Sequence, residues 1–304
     1  MGMYLIGEVI KHFRKQKRLS QEELSLGIMD AASLSKIERG HAMPSKKNIE
    51  ALFEKLGINI NDFSSILLTN ELREEQKIID KLGFYLTSRD TKKAASIITK
   101  LEKDKKFTSD KLNIQFLLAA KAANAMCMNK NPKEVFGILH AGIKDTGLEL
   151  SEANVKTYLL TRIAFKMFNM LAVLYFEQGE HDKAIAIWHG LKQNIEINCV
   201  SIVEKGQRYS QVIACLAKAF NLLGRHEEVI RTCLDGKRTC IETRSLRLLP
   251  EIAFYEARSR FELGDIKTCK KLICEAYHTF SLYEQYHDME ETKKYAHDKL
   301  GIFL

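Results

Sequence analysis

Apolar residues recur at helical spacing along nearly the whole chain, but the breaks between runs follow two rhythms. The first sixty residues hold short runs. Ile6, Val9, Ile10 and Phe13 predict a helix over 5–17. Ser20 followed by Glu23 is a capping-box pattern and opens a second helix at Gln21, with Leu24 and Ile28 facing inward. Asp30 is the N-cap of a third helix whose core residues are Leu34 and Ile37, and Gly40 supplies a left-handed stop. After Pro44-Ser45, the residues Ile49, Leu52, Phe53 and Leu56 predict a fourth helix ended by Gly57. Asn61 or Asp62 caps a fifth, containing Phe63, Ile66 and Leu67.

From residue 70 onward the helical runs lengthen and almost no strand pattern remains. Three segments align on a glycine. Leu171, Ala172 and Tyr175 lead to Gly179, then Ala184 and Trp188; Leu216, Ala217 and Phe220 lead to Gly224, then Val229 and Cys233; Ala257 leads to Gly264, then Cys269 and Ile273. Two weaker copies lie upstream. Leu82-Gly83 precedes Asp90 and Ala95, and Ala122-Ala123 precedes Lys130 and Val135. Each unit is a helix, a turn and a second helix with a small or medium apolar residue five positions on. The turn anchors at 90, 130, 179, 224 and 264 are spaced by 40, 49, 45 and 40 residues.

The run Leu19-Ser20-Gln21-Glu22-Glu23-Leu24, then Leu34-Ser35-Lys36-Ile37-Glu38-Arg39-Gly40, then Pro44 and Ile58, resembles the Xre/Cro/C1-type helix-turn-helix family. The turn near Gly27 to Asp30 is one residue shorter than the commonest version. The resemblance implies a recognition helix in the major groove, with Ala31, Ala32 and Lys36 facing base edges and Ser33 and Arg39 on the same contact surface. It places Gln21 on a phosphate while bracing the third helix, and Lys46 and Lys47 on the backbone at the far side. It also implies a structural ion pair between Arg14 and Glu38. Lys36 can donate to guanine, whereas Ala31 and Ala32 reach only thymine methyls, so DNA shape and half-site spacing carry much of the specificity.

The later units resemble the tetratricopeptide repeat, in longer and degenerate copies, since a standard repeat has about 34 residues. The resemblance implies stacked helix pairs whose first helices line a groove. Counting back from each turn assigns to that groove Asn113 and Asn124; Arg162, Lys166 and Asn169; Gln207, Gln211, Lys218 and Asn221; and Arg247, Glu251 and Arg258, with Phe176, Phe254 and Phe261 as apolar neighbours. Side-chain amides pair with both groups of an extended backbone, and cations hold a carboxylate, so the set suits a short linear peptide. A plain solvated helix face has a similar composition.

The expected fold is all-α: a five-helix helix-turn-helix domain over 1–66, a linker region over 67–75, and over 76–304 a right-handed superhelix of about five tetratricopeptide-like pairs. A last helix, about 289–301, caps the stack or makes a dimer contact.

Composition adds three points. The net charge of +8 suits a polyanionic partner, yet residues 1–66 carry ten Lys and Arg against eight Asp and Glu, so the charge there is local. It concentrates at Lys11, Arg14, Lys15, Lys17 and Arg18, a candidate phosphate-contacting edge beside the helix-turn-helix. The seven Cys residues form no Cys-x-x-Cys pair and suit free thiols in a reducing compartment. Neither a signal-peptide pattern nor an 18-residue apolar run is present, and a cytoplasmic location is expected. The nine His residues show no metal spacing, no glycine-rich phosphate loop or nucleophile elbow occurs, and neither cofactor, metal nor enzymatic activity is expected.

Together, reader and repeats resemble the peptide-pheromone-responsive regulators of the Rgg, PlcR and PrgX group. The resemblance implies a regulator that binds a re-imported signalling peptide in the repeat groove and, as a homodimer, a pseudo-palindromic operator in double-stranded DNA. The alternative is a scaffold whose repeats hold a protein partner while the reader tethers it to DNA.

Overall fold

The computed structural model describes residues 2–58, 70–149, 152–199 and 201–304. All regular structure among them is helical, in sixteen α-helices and one 3₁₀ turn. Two compact units form: residues 1–190 with 198–200, and residues 191–197 with 201–304.

The first unit opens with α1 (Gly2–Gln16), α2 (Gln21–Ser25), α3 (Ala31–Glu38) and α4 (Lys46–Leu56). Their boundaries follow from local chemistry. The Ser20 hydroxyl accepts from the Glu23 amide while the Glu23 carboxylate accepts from the Ser20 amide, completing the capping box. Asp30 caps α3 by accepting the Ser33 amide, and Ser45 caps α4 by accepting the Asn48 amide. Gly40 and Gly57 adopt φ of 72° and 70°, as the stop positions require. Ile10, Leu24, Leu34, Ile49, Leu52 and Leu56 are fully buried in one core. The predicted fifth helix, with its caps at Asn61 or Asp62, lies outside the described residues.

The repeats begin with α5 (Asn70–Thr87), so the latter part of the expected linker is already helical. Then come α6 (Thr91–Lys103), the short α7 (Lys105–Thr108), α8 (Lys111–Cys127) and α9 (Pro132–Asp145). After the 3₁₀ turn over Glu152–Thr157 follow α10 (Arg162–Glu177) and α11 (His181–Asn198), and the division between the units falls within α11. The second unit continues with α12 (Ile202–Leu222), α13 (His226–Glu242), α14 (Leu249–Glu262), α15 (Ile266–Leu282) and α16 (Tyr286–Leu300). This gives five helix pairs and a last single helix. Pairing is antiparallel-neighbour packing of α5 with α6, α8 with α9, α12 with α13 and α14 with α15. First helices also touch first helices, α8 on α10 and α12 on α14, which is how such pairs stack.

The turns explain both the regularity and the degeneracy of the repeat. Gly179, Gly224 and Gly264 take φ between 69° and 82°, and Ala184, Val229 and Cys269, five positions on, are completely buried. In the first pair the left-handed residue is Arg89, and five positions on Ala94 is buried in place of the expected Ala95. In the second pair it is Asn129, with Asn131 as the cap of α9, so the buried Val135 comes one residue later than in the other pairs.

The helix-turn-helix does not stand apart from the first repeats. Leu112 of α8 belongs to the same buried cluster as the reader's core. Described residues on both sides of position 66 belong to the same compact unit. All seven cysteines are free thiols; burial raises Cys240 and Cys269 to about 11, well away from reactive thiolates. Among the described residues no helix is long and apolar enough to cross a membrane.

Candidate functional site

The reader is held together by a buried charge pair. The Arg14 guanidinium donates to Glu38 through Nε at 2.6 Å and Nη2 at 2.8 Å, and its Nη1 donates to the Leu19 carbonyl at 2.7 Å. Gln21 Nε2 adds a third bond to the Glu38 carboxylate at 2.8 Å, so the start of α2 braces the end of α3. Burial pushes the Glu38 carboxyl up, but the bonds from Arg14 and Gln21 outweigh it and hold it below the usual carboxylate range. Gly7 lets α1 approach α3, because a Cβ there would sit 2.1 Å from the Ile37 carbonyl oxygen.

On α3, Ala32 and Lys36 are exposed and Ala31 is half-buried. Lys36 has no ion-pair partner among the described residues. The Ser33 hydroxyl donates to its cap Asp30 at 2.7 Å, and Arg39 folds back on its own helix to Ser35. The basic run in α1 divides. Lys11, Lys15 and Arg18 are exposed, Arg14 is spent on Glu38, and Lys17 donates to the Asn198 carbonyl at 3.1 Å. Burial lowers the Lys17 ammonium, with the nearby Cys199 opposing that shift.

Lys46 reaches its own Glu50 at 3.6 Å. Lys47, assigned by resemblance to the DNA backbone, turns to the repeats: its ammonium donates to Asn113 Oδ1 and lies 5.0 Å from the centre of the Phe107 ring. Asn113 is in turn 4% exposed and donates to the Phe107 carbonyl at 2.8 Å, which removes it from the open face its spacing suggests.

A further set of reader–repeat contacts surrounds the α2–α3 turn, and no local sequence pattern links its members. Gln115 of α8 is 1% exposed and donates to the Gly27 carbonyl at 2.9 Å. A Cβ on Gly27, whose φ is +77°, would meet the Thr146 carbonyl oxygen at 2.0 Å. One on Gly147 would meet the Leu26 side chain at 2.9 Å. The shortened turn thus fits closely on the end of α9. Lys55, 4% exposed, donates to the Leu26 carbonyl at 2.5 Å; burial lowers its ammonium to about 8, helped by Lys111. Glu54 accepts from the Arg162 backbone amide at 2.7 Å and from its guanidinium at 3.4 Å. Arg162, expected on the groove, is therefore the partner of a reader carboxylate. An amide inside the apolar stretch Leu112 to Leu118 was the signal that marked Gln115.

The remaining groove residues of the first unit differ in state. Asn124 is 7% exposed, its Oδ1 has no hydrogen-bond partner among the described residues, and its Nδ2 meets only the Met128 thioether at 3.7 Å. Asn169 Oδ1 accepts from Trp188 Nε1 at 2.9 Å, and Lys166 is exposed. Phe176 packs half-buried between His181 and Trp188, at ring distances of 4.5 and 6.0 Å.

In the second unit Gln207, Gln211 and Lys218 form one exposed stripe on α12, while Asn221 donates to Ser259 Oγ at 3.0 Å. Arg258 stands 5.7 Å from both the Phe254 and Tyr295 rings. Glu251 is raised, by burial first and then by Asp288 and Glu291, with Lys218 opposing, so charges from α12, α14 and α16 face one another. Two expectations are corrected. Arg247 precedes α14 instead of lying on it, because the helix starts late, with Pro250 in its first turn. Phe254 is 5% exposed inside the core and is no open apolar neighbour, while Phe261 is half-buried against it.

Among the described residues no group of three or more His, Cys, Asp or Glu is arranged to hold a metal.

Residues 10–63 match the family model for the helix-turn-helix. No curated protein matches the chain. Among solved structures, PlcR of Bacillus thuringiensis in complex with the peptide PapR7 and DNA is similar at a TM-score of 0.61 and 18% identity, over 94% of this chain and 98% of that one. The apo form of the competence regulator ComR from Streptococcus vestibularis gives a TM-score of 0.51 at 16% identity, over 97% and 98%. ComR from S. thermophilus, in complex with DNA and its signalling peptide ComS, gives 0.51 at 14%, over 95% and 97%. The chain thus carries a helix-turn-helix and shares, end to end, the all-helical fold of these regulators.

Proposed function

We propose that the protein is a non-enzymatic, cytoplasmic transcription regulator that binds operator DNA as a homodimer through α2–α4 and a short linear peptide through its helix pairs. The reader half rests on the matched motif and on an α3 that leaves Ala32 and Lys36 exposed. The peptide half rests chiefly on Asn124. A buried amide with an unpaired oxygen costs the fold about 1–3 kcal/mol, a cost that ligand bonds would offset. PlcR and ComR, whose fold this chain shares, have been solved with both DNA and a peptide.

Dimer formation follows from the limited reach of one recognition helix; two half-sites restore affinity. In the second unit Ile202 and Val203 of α12 and Ile241 of α13 are exposed. Gly206 of α12 packs on Thr243 and Ser245, which brings these side chains to one edge. That edge suits contact with a second copy.

The test is DNA binding by the full chain with and without synthetic peptides encoded by short secreted reading frames beside its gene. One such peptide is expected to change DNA affinity at least fivefold, the scale of an ordinary coupling between sites. If none binds, and a folded protein partner is recovered instead, the scaffold reading replaces this one.

A further inference from the structure

Beside the reader lies a basic corner that neither the helix-turn-helix match nor the peptide reading uses. Lys100 and Lys103 close α6, Lys105 and Lys106 make up half of α7, and Lys111 opens α8; all five are exposed. Three carboxylates lie among them. Glu102 pairs with Lys121, Asp104 accepts the Lys106 and Phe107 amides, and Asp110 accepts the Leu112 amide.

The corner adjoins the reader through defined contacts. Lys47, in the first turn of α4, reaches Phe107 and Asn113, which flank Lys106 and Lys111 in the chain. Lys111 is near enough to Lys55 of α4 to depress its ammonium. Lys111 stands in the first turn of α8, where a cation opposes the helix dipole, so its charge does not serve that helix. Lysines from distant parts of the sequence are thus brought together beside the start of α4.

We infer that this corner of the repeats is an accessory DNA-backbone surface, with Lys103, Lys105 and Lys111 binding phosphates that flank the stretch met by the recognition helix. The inference rests on the reading of the chain as a DNA-binding protein. It makes the footprint longer than the helix-turn-helix alone would cover, and it adds affinity without base preference, because phosphates carry no sequence information.

The experiment is fluorescence anisotropy of the full chain on a 40-base-pair mixed-sequence duplex across a salt series. Each phosphate contact contributes about 0.9 to the slope of log K against log salt. The triple variant Lys103→Gln, Lys105→Gln, Lys111→Gln is expected to lower that slope by about 2 to 3. A control triple on α15, Lys267→Gln, Lys270→Gln, Lys271→Gln, removes the same charge and is expected to leave it unchanged. Thermal unfolding checks that both variants fold. An unchanged slope in the first triple, or equal losses in both, overturns the inference and leaves DNA binding itself intact. Absence of DNA binding by the unaltered chain overturns both.

Discussion

The reader and the helix pairs carry their polar residues in opposite ways. In the reader the buried Glu38 and Lys55 are satisfied from within the reader itself, Glu38 by Arg14 and Gln21 and Lys55 by the Leu26 carbonyl. In the helix pairs Asn124 and Gln115 are buried, yet each has an amide oxygen with no hydrogen-bond partner among the described residues. Satisfied polar groups specify a fold, whereas unsatisfied ones are costs that a fold keeps for something else. The contrast separates a module whose buried polar groups are closed on one another from helix pairs that keep buried polar atoms open.

The sharpest way to break the contrast is to unpair the reader's ion pair. Arg14→Met leaves Glu38 buried without its cation and is expected to cost about 3–5 kcal/mol, read as a loss in urea unfolding. Because the Glu38 carboxyl is held below its unfolded value, the pair stabilises above about pH 4.5. Its contribution disappears as pH falls through the folded value, and the variant is expected to lack that acid-side loss.

Next in size is the α2–α3 turn. Gly27→Ala would place a methyl group against the Thr146 carbonyl in a left-handed backbone, and a loss of about 2–3 kcal/mol is expected. A change under 0.5 kcal/mol would show that the turn and α9 move apart without cost.

Lys55 sharpens the comparison by its pH dependence. With its folded value near 8 against 10.5 in the free side chain, the unfolded chain holds a proton that the folded one lacks between those limits. Stability therefore rises with pH across that window. Lys55→Met is expected to abolish the rise and to be neutral or stabilising at pH 7. An identical pH profile in the variant would contradict the burial described above.

On the DNA side, Lys36→Ala is expected to weaken binding to the operator by about 1–3 kcal/mol and to random duplex much less. Equal losses would make Lys36 a phosphate contact.

The reader was legible because its caps, glycine stops and core spacing are local, each decided within four residues. The pairing of Arg14 with Glu38 came with the family motif, and the fivefold helix-pair layout with the turn periodicity. What escaped was long-range or dependent on register. Gln115 and Gly27 are 88 residues apart, and no local pattern links them. Lys47 and Asn113, assigned to two different ligands, bind each other. Counting back from the turns misplaced Arg247, because α14 begins after it. Among the groove assignments Asn169 and Asn221 proved to be bonded to Trp188 and Ser259, which spacing alone does not register.

Asn124 offers the most direct test, because fold and function make opposite demands on it. The measurement is calorimetric titration of the full chain and of Asn124→Leu with the peptide that alters DNA binding, together with their thermal unfolding. The predicted result is a variant at least as stable as the parent that binds the peptide tenfold or more weakly, about 1.4 kcal/mol. Equal peptide affinity in both proteins, or a variant that merely loses stability, would contradict the assignment of this buried amide to the ligand.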